Sequence, residues 1–319
     1  MRQNGNATGC GNHHAWRLVE RKNSGRIHAL ILRKGYFMVG HKTIAGSLLA
    51  GAALIASPAT AQQDRPYYDG FYVSGAVSAD TPDDSRNDRF VFDTDRDGVF
   101  DNFVRTAAGA DAFSTGFCRG DADGPVRAGS CGGNKLEPGF AVRVGYDKPI
   151  GNSPLVAGLL VEGAKPGVED FTTAFSTTPA SYTIGREIDY SVMARGRLGI
   201  APGDGRGLFY VTGGVGFAKL DHSFATTNGA NSFTPTNEGG WKFGAQVGGG
   251  AEVMLNRTIG IGLEYLYSSY EDEDYFVAVG PGTAPPTNPF LLRSGGTNLT
   301  VGDNRLDYHS LRATVNFRF

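Results

Sequence analysis

The chain has 319 residues and a formal net charge of −2, with 19% charged residues, 11% aromatics and 47 glycines. Glycine far above its usual share of about 7%, with no collagen period and no long low-complexity tract, suits many strands joined by turns. After the N-terminal region no run of about 20 apolar residues occurs, which excludes a helical membrane span and leaves strands as the means of insertion.

In chain order, residues 1–37 are polar, basic and without periodicity, and the pattern changes at Met38. A short basic segment with His41 and Lys42 leads into the apolar run Ile44 to Ala56, then Ser57-Pro58 and the small-x-small triplet Ala59-Thr60-Ala61. This is the layout of a secretory signal peptide over 38–61, with cleavage expected between Ala61 and Gln62. The run is too short for a spanning helix. Residues 1–37 then read as an upstream extension from a mis-placed start, leaving 62–319 as the mature domain. Eight Lys/Arg and one Glu precede Gln62, so the mature chain carries 22 basic and 31 acidic groups, net −9. That balance excludes nucleic acid as a partner. Cys118 and Cys131 remain as an even pair, read as one disulfide in an oxidising compartment. With no nearby His they do not make a zinc site.

From Gln62 onward, eight segments alternate apolar with small or polar residues, the pattern of strands lying between lipid and a lumen. They run about 69–79, 138–147, 154–164, 186–200, 207–220, 239–254, 258–269 and 307–319. The connections after the second, fourth and sixth are short and rich in Gly, Pro, Asn and Asp, as tight turns require. The others are long, the first of them spanning about 80–137. Short turns alternating with long loops define an all-β, eight-stranded antiparallel up-and-down transmembrane β-barrel, with periplasmic turns, outer loops and both ends on the periplasmic side. Phe71, Tyr146, Phe209 and Phe319 then fall at the inner interface and Tyr190, Trp241 and Tyr267 at the outer one. The fourth outer loop, about 270–304, has an acidic start and a Pro-rich middle and is expected to be mobile.

The last segment places Leu311, Val315, Phe317 and Phe319 on one face and Arg312 and Arg318 on the other. It resembles the closing strand of bacterial outer-membrane barrels, which implies that its apolar face and terminal aromatic are the signal read by the barrel-assembly machinery. The stretches 196–218, 240–269 and 309–319, including GRLGIAPGDGRGLFYV and HSLRATVNFRF, resemble the small OmpA-like porin-family barrels of alphaproteobacteria, the outer-membrane immunogenic proteins. The resemblance covers the C-terminal half closely and the first two strands loosely. It implies a structural or surface-exposed protein of the outer membrane without catalytic residues. The first outer loop is far longer here, so loop function does not carry over.

An eight-stranded barrel is just wide enough for side chains to fill it. The inward faces hold Arg143, Glu162, Asp189, Arg195, Arg197, Lys242, Glu252, Glu264, Arg312 and Arg318, with both signs represented. Charges in so narrow a space are costly unless paired, which predicts a salt-bridge network that plugs the lumen. The alternative is a small passive porin-like channel.

The first outer loop contains Asp93-Thr94-Asp95-Arg96-Asp97-Gly98-Val99-Phe100-Asp101. The spacing matches the start of a calcium loop, with Asp93, Asp95, Asp97 and Asp101 offering carboxylates, Val99 a carbonyl, and Gly98 the turn. Val104 stands where an EF-hand has its bidentate Glu. The loop therefore looks more like the calcium loops of thrombospondin type 3 repeats, and a solvated acidic turn is the competing reading. Calcium is the one candidate ligand; no cofactor is required. Asp221-His222 and His309-Ser310 are the only His-containing pairs that suggest catalysis, but neighbours on a strand point to opposite faces. The chain is thus expected to be a monomeric, non-enzymatic barrel whose partners are outer-membrane lipid, lipopolysaccharide and, during biogenesis, the assembly machinery.

Overall fold

The computed structural model describes residues 66–83, 89–129 and 131–319. The expected signal peptide, Ala61, Gln62 and the 1–37 extension lie outside these. In chain order the strands are β1 (Gly70–Pro82), β2 (Phe90–Asp93), β3 (Gly116–Arg119), β4 (Asp121–Ala122), β5 (Cys131–Gly132), β6 (Glu137–Pro149), β7 (Leu155–Lys165) and β8 (Glu169–Ser176). There follow β9 (Ala180–Ile200), β10 (Gly207–Thr226), β11 (Ser232–Thr236), β12 (Gly239–Met254), β13 (Ile259–Glu271), β14 (Phe276–Gly280), β15 (Thr297–Val301) and β16 (Arg305–Arg318).

Eight of these close a barrel in the order β1, β6, β7, β9, β10, β12, β13, β16, every neighbouring pair antiparallel. The terminal strand closes it on the first, with Tyr72 opposite Arg318 and Ala79 opposite Leu311. Because side chains alternate, one face of each strand forms an exposed apolar belt. Val77 is 65% exposed, Leu159 72% and Val211 66%, values that make sense against lipid and not water. Leu311, Val315, Phe317 and Phe319 lie on this belt, as do Phe71, Tyr146, Phe209, Tyr190 and Trp241.

Two strands are far longer than the 9–11 residues that cross a bilayer: β9 has 21 and β10 has 20. Their outer halves leave the belt and become the base of a cap. There β9 pairs with β8, which carries β3 at its edge. A second sheet, in the order β11, β14, β15, β2, lies against this extension. Between the layers Phe90, Phe92, Phe113, Tyr182, Val277 and Leu299 are buried in one apolar core. The fourth outer loop, expected to be mobile, instead contributes β14, β15 and a 3-10 turn over Pro289–Leu291. Its apolar residues pair with strands donated by other loops, so no local period betrays them. Cys118 and Cys131 form a disulfide joining β3 to β5.

The parity of β9 changes at Asp189. Lys219 of β10 pairs with Tyr190 and the next residue, Leu220, with Ile188, so Asp189 is the extra residue of a β-bulge. Below the bulge Ser191, Met193, Arg195 and Arg197 face inward; above it Ile188, Arg186, Ile184 and Tyr182 do.

Candidate functional site: the filled lumen

Among the described residues, five guanidiniums and five carboxylates are buried inside the barrel, in two tiers. In the central tier Arg143 pairs with Glu162 at 3.1 Å and Glu264 at 2.8 Å. Arg195 reaches the same two carboxylates at 2.8 and 3.3 Å, and Arg312 holds Glu162 at 2.6 Å. The Tyr210 hydroxyl donates to Glu264 at 3.1 Å. Arg312 also donates to Ser310, which donates to Asp80, and Asp80 accepts the backbone N–H of Gly167 at 3.0 Å. Each carboxylate thus meets several donors, the condition under which buried charge is tolerated.

The periplasmic tier joins Asp147 and Glu252 to Arg197 and Arg318. Arg197 forks onto Asp147, Arg318 reaches Asp147 at 2.8 Å and Glu252 at 3.0 Å, and Arg197 reaches Glu252 at 3.4 Å. Aromatic faces close this tier. The Arg318 guanidinium lies 4.5 Å from the Tyr68 ring centroid and 4.8 Å from that of Tyr72, and Arg197 lies 4.7 Å from Tyr72. Two glycines make the room. A Cβ on Gly145 would stand 2.4 Å from the Tyr72 ring, and one on Gly250 2.7 Å from the Tyr210 hydroxyl. Tyr68 seals the periplasmic mouth by donating to the carbonyls of Arg206 and Glu252 at 2.8 and 3.2 Å.

Above the charges the lumen is largely apolar, though it holds the Tyr270 and Tyr308 hydroxyls. Val168, Ile188, Met193, Ala218, Leu220, Tyr270, Leu306 and Tyr308 form one cluster, each 1% exposed or less. Higher still, within the cap, Arg186 pairs with Asp170 and lies 3.7 Å from Asp272. The His222 ring nitrogen Nε2 sits 2.9 and 3.0 Å from the two oxygens of Asp272, and the ring stacks on Tyr275 at 4.3 Å. Burial pushes the Tyr275 phenol well above its ordinary value.

Of the ten lumen charges read from the alternation, eight meet in these tiers and two do not. Asp189, turned out by the bulge, pairs with Lys219 at 2.6 Å on the outer surface, near Lys165. Lys242 stands opposite Ala218, level with the apolar cluster above the tiers, and pairs with Asp274 of the fourth loop. Asp147 and Asp80 complete the network but read as turn and loop residues, because each lies at the last position of an alternating run. Tyr72 and Tyr210 were legible as inward by parity, and the glycines opposite them signalled the space.

Three of the four carboxylates read as calcium ligands come together. Carboxylate oxygens of Asp93, Asp95 and Asp97 lie within 4.8 Å of one another, and Asp101 is not among them. Asp101 accepts from the Asn102 side chain instead. Asp93 accepts the backbone N–H groups of Asp97 and Gly98 at 3.2 Å each, Asp97 accepts that of Val99, and Asp95 pairs with Arg293 at 2.6 Å. A left-handed Arg96 and Gly98 shape the turn. The paired histidines diverge: His222 meets Asp272 while Asp221 meets Lys219, and His309 meets Tyr265 while Ser310 meets Asp80.

A closed eight-stranded antiparallel barrel with a lipid-facing apolar belt and a charge-filled interior defines an outer-membrane barrel protein. Residues 47–319 match the family described as Outer membrane protein beta-barrel domain, and the chain belongs to it. No curated protein matches the sequence. Among solved structures, the chain is similar to the outer membrane protein OprG from Pseudomonas aeruginosa, at 12% identity over 79% of this chain and 97% of that one, with a TM-score of 0.40. It is also similar to Ail, the attachment invasion locus protein of Yersinia pestis, at 12% identity over 79% and 99%, with a TM-score of 0.31. Neisserial surface protein A aligns at 9% identity over 78% and 97%, with a TM-score of 0.30.

Proposed function

We propose that this outer-membrane barrel is a structural, surface-exposed protein whose lumen is closed and whose cap is its working surface. Within its family we read it as the small OmpA-like porin type, on the hairpins 196–218 and 240–269. The observation that supports a closed lumen is the stack of tiers: paired charges capped by the apolar cluster around Met193, Leu220 and Tyr308. An ion crossing that cluster would shed its hydration with no charged group and only the Tyr270 and Tyr308 hydroxyls among its members to replace it. Lipopolysaccharide of the outer leaflet would meet Lys165 and Lys219 beside Tyr190, where Lys165 lies 5.2 Å from the ring. Protein purified from the outer membrane should begin at Gln62 and give no stable unitary conductance in planar bilayers. Steady single-channel steps would replace this reading with the passive porin-like channel.

The Asp93 turn we propose as a weak calcium ligand with no structural duty, since its carboxylates already satisfy the loop's own N–H groups and Arg293. Chelation of calcium should then shift the unfolding temperature of the cap by less than about 2 °C, the effect of well under 1 kcal/mol. A larger drop on chelation would show that the cation holds the turn.

A further inference from the structure

We propose that a cavity at the tip of the cap is a binding site for one neutral sugar ring of pyranose size. It rests on the reading of the cap as the outward surface. The cavity is about 250 Å³, below the range of about 300–1,000 Å³ typical of pockets for drug-sized ligands, so it takes a single ring and its substituents. Three chain segments build its walls: the β8–β9 turn around Thr177 and Thr178, the stretch after β10 around Asn228 and Gly229, and Asn288 to Phe290.

Its chemistry is two-sided. Phe113, Tyr182 and Phe290 form the floor, packed on one another with ring centroids 5.4 to 5.8 Å apart. The rim is hydroxyl and amide. Asn228 donates to the Tyr182 hydroxyl at 3.0 Å and to Asn231 at 3.1 Å, and Asn288 donates to Asn231 at 3.0 Å. This ladder fixes the wall in place before any ligand arrives. The Thr177 and Thr178 hydroxyls make no hydrogen bond to other described residues and stand exposed at the mouth.

None of the described residues lining the cavity is charged. An anionic or cationic ligand would give up water over an aromatic floor with no counter-charge, which is unfavourable. A wholly apolar ligand would cover the Thr177 and Thr178 hydroxyls at the mouth and leave them unpaired. A pyranose has an apolar C–H face for the rings and a hydroxyl edge for the rim, and so answers both constraints.

The test is saturation-transfer NMR on the full-length protein in a detergent without a sugar headgroup. The probes are the methyl glycosides of glucose, galactose and mannose, set against glucuronic acid, glucose 6-phosphate and toluene. At least one neutral glycoside should receive saturation and the two charged sugars should not. Gly229→Trp, whose added side chain starts with no atom within 4 Å, should abolish the transfer while keeping heat-modifiable migration on gels. Thr178→Trp closes the mouth from the opposite rim and serves if the first variant fails to fold. Silence from all three glycosides, transfer that survives both blocking variants, equal transfer to the charged sugars, or transfer to toluene alone would overturn the proposal. Conductance of the same preparation is read separately, so an open lumen with sugar binding intact would sink the closed-barrel reading and leave the site standing.

Discussion

Glu264→Gln should lower the unfolding free energy of the barrel by about 3–5 kcal/mol, the usual cost of removing one partner from a buried charge cluster. The replacement keeps the side chain's shape, so the loss isolates charge from packing. Glu264 accepts from Arg143 at 2.8 Å, Arg195 at 3.3 Å and the Tyr210 hydroxyl at 3.1 Å. Without its charge, Arg143, Arg195 and Arg312 are left to share Glu162. Water cannot easily make good the deficit, since the apolar cluster around Leu220 and Tyr308 lies above the tier and Tyr68 closes the mouth below. Denaturant unfolding in detergent, followed by gel migration of the folded band, measures the loss. Adding Arg195→Met should recover a large part of it, because the pair and not either residue is what the lumen tolerates. The control is Asp189→Asn, whose partner Lys219 is part-exposed on the outer surface of the barrel, and its unfolding midpoint should match the parent protein. Equal losses at the two positions would mean that the lumen is wet, and the closed-barrel reading would fall with it.

The barrel could be read from the sequence because each crossing strand reports its own environment. Phe209, Val211 and Val215 sit on lipid while Tyr210 and Thr212 sit in the lumen, and the period of two needs no knowledge of neighbouring strands. The reading failed where the period broke. The parity of Arg195 and Arg197, six and eight residues later, places Asp189 inward, but Asp189 is itself the bulged residue at which the parity reverses. The cap was illegible for a different reason. Its second sheet takes β2, β11, β14 and β15 from the first, third and fourth outer loops, each strand four or five residues long. Segments that short carry no usable alternation, and their pairing is decided by a core that none of them can form alone. In the cation motif, spacing gave the residue types but not their partners. Nothing in the sequence around Asp95 says that Arg293, almost two hundred residues away, already holds it.

Phe290→Ala should open the cap without opening the barrel. Phe290 is buried between the two cap sheets, with ring centroids 5.8 Å from Phe113, 5.7 Å from Tyr182 and 6.4 Å from Phe233. Truncating a core Phe to Ala costs about 3–5 kcal/mol. That cost falls on a sheet of four short strands that is stable only through its packed face. The barrel strands are held instead by a closed ladder and by the lumen pairs, none of which involves Phe290. Proteolysis of the folded protein should therefore speed up within residues 89–136 and 272–304 by about a hundredfold, as a loss of about 3 kcal/mol in local opening implies. The heat-modifiable band from the barrel should keep its midpoint. Phe103→Ala, at a side chain already 65% exposed on the cap surface, should change neither. If the Phe290 variant instead lost its cap protection and its barrel midpoint together, the long β9 and β10 would be transmitting the defect. The cap would then be part of one cooperative unit with the membrane-spanning strands.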